Sequence, residues 1–151
     1  MSSAANTYLD ILLADDDADD RLLFEEALSE VKKDAKLTTA KNGEQLMGML
    51  KNQTPPIPSV IFLDLNMPLK NGFECLDEIR ANKTYKDVPV VIFTTTSQKD
   101  AIDKVYKKGA SYYLCKPDNF QKLKNLLNMV FNFNLSSVKS KPTREEFLLN
   151  A

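Results

Sequence analysis

Four short apolar runs, each ending on a reactive or ligating side chain, constrain this chain most. Val60-Ile61-Phe62-Leu63 ends on Asp64, and Leu9 to Ala14 ends on Asp15-Asp16. Val88 to Phe93 ends on Thr94-Thr95, and Ser111 to Cys115 ends on Lys116-Pro117. Apolar runs of this length, bounded by turn residues, read as buried strands. The carboxyl ends of such strands form the rim of an open α/β sheet, where ligands bind. Acids, a hydroxyl and an amine are therefore expected at one rim. Such a set can hold a divalent metal and a phosphoryl group beside one carboxylate.

Segments with helical spacing separate the strands. The first strand, from Tyr8, leads to Arg21–Lys33, with Leu23, Phe24, Ala27, Leu28 and Val31 at helical intervals. Asp17, Asp19 and Asp20 precede it, where the helix dipole favours acids. Leu37 to Ala40 reads as a short strand, Asn42-Gly43 as a turn, and Leu46, Met49 and Leu50 mark a second helix. Gly72–Ala81 and Asp100–Lys107 are the third and fourth helices, and Gly109 stops the fourth. Phe120, Leu123, Leu126, Leu127, Val130 and Phe131 define a fifth. Alternating strands and helices call for an α/β fold with a parallel sheet covered on both faces. Right-handed crossovers leave a doubly wound, five-stranded, flavodoxin-like order 2-1-3-4-5 with five helices as the expected answer. That order makes strands one and three neighbours, and so brings Asp15, Asp16 and Asp64 together.

Residues 1–133 are expected to form one domain and 134–151 a C-terminal tail. Lys51 to Ser59 contains Pro55, Pro56 and Pro58 and reads as an extended loop to which no function attaches. Asn134 to Pro142 is Ser- and Lys-rich and reads as a linker. Arg144 to Leu149 is either a frayed end or a short helix that docks Phe147, Leu148 and Leu149 on the domain or on a partner.

Composition removes several function classes. The chain has no histidine, which excludes Ser-His and Cys-His catalysis, zinc–histidine sites and a phosphohistidine carrier. A net charge of −1 gives no general attraction to nucleic acid or anionic lipid. Cys75 and Cys115 sit within apolar patterns without metal-ligand spacing, as expected of reduced thiols in a cytoplasmic protein. Met1 to Thr7 lacks the features of a secretory signal, and no apolar stretch is long enough to span a bilayer.

The three acids repel one another unless a cation relieves them. Oxygen ligands select hard ions, and Mg2+ suits a site with few carboxylates, several waters and a phosphate oxygen. Asp16 and Asp64 are the expected direct ligands. Asp15 would act through water, and the backbone carbonyl of Asn66 could complete the shell. Taken alone, Asp15 to Asp20 also reads, with less weight, as an acidic helix start. For Thr94 and Lys116 taken singly, a strand threonine and a surface lysine are the better readings. It is their joint occurrence at successive strand ends that points to a site. Asp64 is either a ligand only or a nucleophile, since carboxylates can attack phosphorus to form aspartyl phosphates. Lys116 and Thr94 would then contact phosphoryl oxygens.

Leu12-Leu13-Ala14-Asp15-Asp16-Asp17, Phe62-Leu63-Asp64-Leu65-Asn66-Met67-Pro68, Asn71-Gly72, Val91-Ile92-Phe93-Thr94-Thr95 and Tyr113-Leu114-Cys115-Lys116-Pro117 together resemble the receiver domain of two-component response regulators. The resemblance runs from about Tyr8 to about Phe131 and implies a stand-alone, CheY-like receiver. It implies that Asp64 is the phosphoacceptor, taking its phosphoryl group from a sensor histidine kinase or histidine phosphotransferase. Asp15, Asp16, Asp64 and the Asn66 carbonyl would hold Mg2+. Lys116 would pair with the phosphoryl group, and the bond from Lys116 to Pro117 would be cis. Thr94 would swing toward the phosphate and Tyr113 would turn inward, altering the face of helix four, strand five and helix five. Asn66 and Thr96 would tune the lifetime of the phosphorylated state. That face would meet a downstream target protein, and could also pair two copies as a homodimer.

Two other readings stand beside this one. A receiver-shaped interaction module would act without phosphorylation, although the intact set of Asp15, Asp16, Asp64, Thr94 and Lys116 argues against it. Read from the strand alone, Tyr113 is equally a packed tyrosine with no switching role. An aspartate-nucleophile phosphohydrolase would need an acid two places after the nucleophile, where this chain has Asn66. The chain is thus expected not to be a turnover enzyme.

Overall fold

In the computed structural model the structure describes residues 9–52, 56–133, 135 and 141–150. Expectations made for Tyr8, for the start of the chain, for 53–55 and for most of 134–140 lie outside these residues. The strands are β1 (Leu9–Ala14), β2 (Ala35–Ala40), β3 (Val60–Leu63), β4 (Val90–Thr94), β5 (Tyr112–Cys115) and β6 (Leu148–Leu149). The helices are α1 (Ala18–Val31), α2 (Gly43–Lys51), α3 (Gly72–Ala81), α4 (Lys99–Lys107), α5 (Phe120–Asn132) and α6 (Arg144–Phe147).

All neighbouring strands run parallel, in the order β2-β1-β3-β4-β5-β6. The flavodoxin-like order is as expected, but the count of five strands and five helices is corrected to six of each among the described residues. The additional pair comes from the C-terminal segment. Leu148 and Leu149 pair with Tyr113 and Leu114, so the edge of β5 is covered.

Side chains alternate across the sheet and build two cores. Leu12, Ala14, Ile61, Leu63, Val90, Ile92 and Tyr113 face one side, with Leu46, Leu76, Ile79 and Val105 from α2, α3 and α4. Ile11, Leu13, Phe62, Val91, Phe93 and Leu114 face the other, with Phe24, Leu28, Leu123, Leu127 and Val130 from α1 and α5. The Phe24 ring meets Phe62 edge-on at 4.9 Å and Phe93 at 5.6 Å, which fixes α1 over β3 and β4.

Several boundaries differ from the sequence expectation, each for a local reason. Helix α1 begins at Ala18 because the Asp17 side chain accepts hydrogen bonds from the Asp19 and Asp20 N–H groups. Strand β4 begins at Val90 because Pro89 has no N–H to give to a ladder. Past α4, Gly109 takes φ +100°, and the Ala110 N–H closes back on the Val105 carbonyl. No helix among the described residues is long and apolar enough to cross a membrane.

Candidate functional site

Register sets Asp15 and Asp64 level at the sheet's carboxyl edge, with Thr94 one residue and Lys116 two residues farther along their strands. Ala14 pairs with Ala40 on one side and Leu63 on the other, so Asp15 and Asp64 leave the sheet side by side. The Asp15 N–H donates to the Ala40 carbonyl and the Asp64 N–H to the Ala14 carbonyl, each at 3.0 Å. Thr94 pairs with Cys115, and the Lys116 N–H donates to the Thr94 carbonyl at 2.8 Å.

The Lys116 ammonium is the hub of the rim. Its Nζ lies 2.8 Å from Asp15 Oδ2, 2.8 Å from Asp20 Oδ2 and 3.1 Å from Asp64 Oδ2. It donates hydrogen bonds to Asp20 and Asp64. The Asp15 contact is an ion pair without hydrogen-bond geometry, which leaves Asp15 Oδ2 with no hydrogen-bond donor. The remaining oxygens are fixed by backbone: Asp15 Oδ1 accepts from the Asp17 N–H at 3.0 Å, and Asp64 Oδ1 from the Leu65 N–H at 2.8 Å.

Burial sets the electrostatics. Asp15 is fully buried, and burial pushes its carboxyl up to about 6 even though Lys116 and the Asp17 N–H oppose the shift. Burial alone would lower the Lys116 ammonium. Contacts with Asp15 and Asp20, and the charge of Asp64, outweigh it and hold Lys116 above the usual lysine range. The protonated lysine is thus fixed among acids, ready to act as a point charge.

Asp15, Asp16 and Asp64 each offer one carboxylate oxygen, and these lie within 4.8 Å of one another. Two of the three residues are buried, while Asp16 is exposed at the mouth. The donors are all hard oxygens and Asp15 Oδ2 lacks a hydrogen-bond donor, so the residues fit a divalent cation. Thr94 is fully buried and its hydroxyl has no hydrogen-bond partner, an unused donor at the same rim.

Asp15, Asp16, Asp64, Thr94 and Lys116 thus converge at one rim. Asn66 is exposed in the loop after Asp64, and Thr96 is half-buried in the loop after β4. Tyr113 is fully buried, with its hydroxyl donating to the Thr96 carbonyl at 2.7 Å. Asp20 is the residue that sequence reasoning missed. Its signal was hidden in a run of acids, any of which suits a helix start.

The chain matches the family model for the response regulator receiver domain over residues 11–128. It is 34% identical over 142 residues to response regulator Rcp1 of Synechocystis sp., covering 91% of this chain and 97% of that protein. A chemotaxis protein CheY homolog of Campylobacter jejuni is 32% identical over 121 residues, covering 80% of this chain and 90% of that one. Among solved structures, the Mn(2+)-bound form of Rcp1 superposes with a TM-score of 0.76 at 32% identity, covering 89% of this chain and 99% of that one. The phosphorylated cyanobacterial phytochrome response regulator RcpA does so with a TM-score of 0.77 at 30% identity, covering 90% and 99%. With its sheet order, its rim acids and these matches in agreement, the chain belongs to the receiver-domain family of two-component response regulators.

Proposed function

We propose that this chain is a single-domain response regulator that accepts a phosphoryl group from a partner phosphohistidine onto Asp64. The observation that carries this reading is the placement of Lys116 Nζ within 3.1 Å of Asp64 Oδ2, beside the unpartnered Thr94 hydroxyl. An Asp64 carboxylate oxygen attacks phosphorus, and the P–N bond to the partner's imidazole breaks. The bonding pair leaves with the imidazole nitrogen. Because the ring's other nitrogen carries a proton in the phosphohistidine, the products are an acyl phosphate on Asp64 and a neutral histidine on the partner. Lys116 then donates to one phosphoryl oxygen and Thr94 to another. The buried setting keeps these donors oriented before the phosphoryl group arrives.

Asp15, Asp16, Asp64 and the Asn66 backbone carbonyl would hold Mg2+. When bound, it supplies positive charge against the phosphoryl oxygens. Asn66, exposed after Asp64, and Thr96, half-buried after β4, would set how readily water reaches the acyl phosphate. Thr94 drawn toward the phosphate is coupled to Tyr113 through the β4–α4 loop, whose Thr96 carbonyl holds the tyrosine hydroxyl. The readout, in the cytoplasm, is contact with a target protein through the side of α4, β5 and α5, where α6 and β6 pack on α4 and β5 and form part of the surface the target meets. CheY-type receivers are signalling proteins, and slow hydrolysis of its own phosphate is the only turnover assigned to this chain.

Transfer from a histidine donor tests this directly. A radiolabelled phosphohistidine phosphotransfer protein, mixed with the chain and Mg2+, is expected to pass label to the wild type and none to Asp64→Asn. Equal labelling of both would remove the proposal.

A further inference from the structure

The last described segment sits against Tyr113, one of the two side chains proposed to switch. Leu148 and Leu149 form β6 on β5, opposite Tyr113 and Leu114. A two-residue strand has little stability of its own, so its seat depends on side chains. Phe147 is fully buried, its ring 5.0 Å from Tyr106 edge-on and 6.1 Å from Tyr113. The Tyr106 hydroxyl donates to the Pro142 carbonyl at 2.7 Å, and Arg144 Nε pairs with Asp103 Oδ1 at 2.7 Å. Lys141 Nζ lies 3.8 Å from the centre of the Tyr106 ring. The Thr143–Glu146 capping box fixes the turn that presents Phe147.

Tyr113 lies between β4 and β6, and its hydroxyl points to the Thr96 carbonyl after β4. A ring leaving the core must move away from β4, toward the sheet edge. That is the side on which Phe147 and β6 are packed. We propose that residues 141–150 act as a wedge that keeps Tyr113 inward, so that seating of this segment and phosphorylation of Asp64 favour each other. This deepens the phosphoacceptor reading and rests on it. The reciprocity is a matter of linkage: if both events favour the inward tyrosine, each must favour the other by the same factor.

The test uses the full chain with beryllofluoride and Mg2+ as the phosphoryl mimic. Phe147→Ala is expected to weaken beryllofluoride binding by about 5-fold or more, the low end of ordinary couplings. Because Phe147 is a core side chain, Arg144→Gln provides a second variant that leaves the ring in place. It is expected to weaken binding in the same direction, by less. In the wild type, beryllofluoride is expected to slow amide exchange at Leu148 and Leu149.

Unchanged affinity in both variants, with faster exchange at Leu148 and Leu149 showing the segment released, overturns the wedge. So does exchange at those amides that speeds up on adding beryllofluoride. Protection that depends on protein concentration, indicating a segment seated on a second copy, also overturns it. The two failures are distinguishable. Wild-type binding that Asp64→Asn does not abolish, or no wild-type binding, sinks the Asp64 reading and the coupling with it. Binding that requires Asp64 but ignores Phe147 and Arg144 sinks the wedge alone.

Discussion

Lys116→Ala lowers the stability of the metal-free protein by about 3–5 kcal/mol near pH 8, the usual cost of stripping a buried charge of its partner. Lys116 holds three carboxylates, and Asp15 among them is fully buried. Without the ammonium, Asp15 and Asp64 face each other with no counter-charge. The deficit depends on pH. In the native protein the Asp15 carboxyl is raised from 3.8 to about 6. A raised carboxyl makes a contribution that is fully present below the unfolded value and is lost as pH rises through the folded one. Removing Lys116 takes away an effect that lowers Asp15, so the variant's carboxyl moves higher still. The difference from wild type therefore shrinks toward pH 5, where Asp15 takes up a proton and needs no counter-ion. Saturating Mg2+ shrinks it at pH 8 by supplying the missing positive charge. Denaturant unfolding at the two pH values, with and without Mg2+, checks this. A deficit that is the same under all four conditions would show that Lys116 is not the counter-ion of these acids.

Gly72→Ala is the second large effect, about 3 kcal/mol of stability or more together with impaired phosphorylation. A Cβ at Gly72 would stand 2.3 Å from the Asp64 carbonyl oxygen and 2.8 Å from Leu65 Cα. Both are backbone atoms, so no side-chain rotation relieves the clash, and the upper part of the overpacking range applies. The connection has little slack. The Gly72 N–H donates to the Leu65 carbonyl at 3.0 Å, and Leu69 already takes φ 69°, a costly backbone for a non-glycine residue. The strain would fall on the Asp64 backbone and tilt its carboxylate away from Lys116. Thermal unfolding and the rate of adduct formation from a small acyl phosphate check this. A variant as stable and as fast as wild type would mean that α3 does not fix the position of Asp64.

The rim was legible in the sequence because it depends on local signals. Val60–Leu63 is apolar throughout, as a strand covered on both faces must be, and Asp64 follows it directly. The same logic placed Asp15, Thr94 and Lys116, and parallel pairing then gathered the strand ends at one edge of the sheet. Asp20 was not legible, because its role depends on the phase of α1. That phase is set when Asp17 caps the helix, and its partner Lys116 lies 96 residues away. The sixth strand was not legible for a different reason. Leu148-Leu149 is too short to show a period, and what makes it a strand is the edge of β5 and a seat for Phe147 built from Tyr106 and Tyr113. Burial of Tyr113 follows from that same contact, which strand pattern alone cannot reveal.

The central claim is that Asp64 accepts phosphate with Lys116 and the neighbouring acids around it. Intact-mass measurement after incubation with Mg2+ and a small acyl-phosphate donor tests it most directly. The account predicts a single phosphoryl adduct on the wild type, absent from Asp64→Asn and strongly reduced in Lys116→Ala. An adduct that persists in Asp64→Asn, or a wild type that never acquires one, would contradict it.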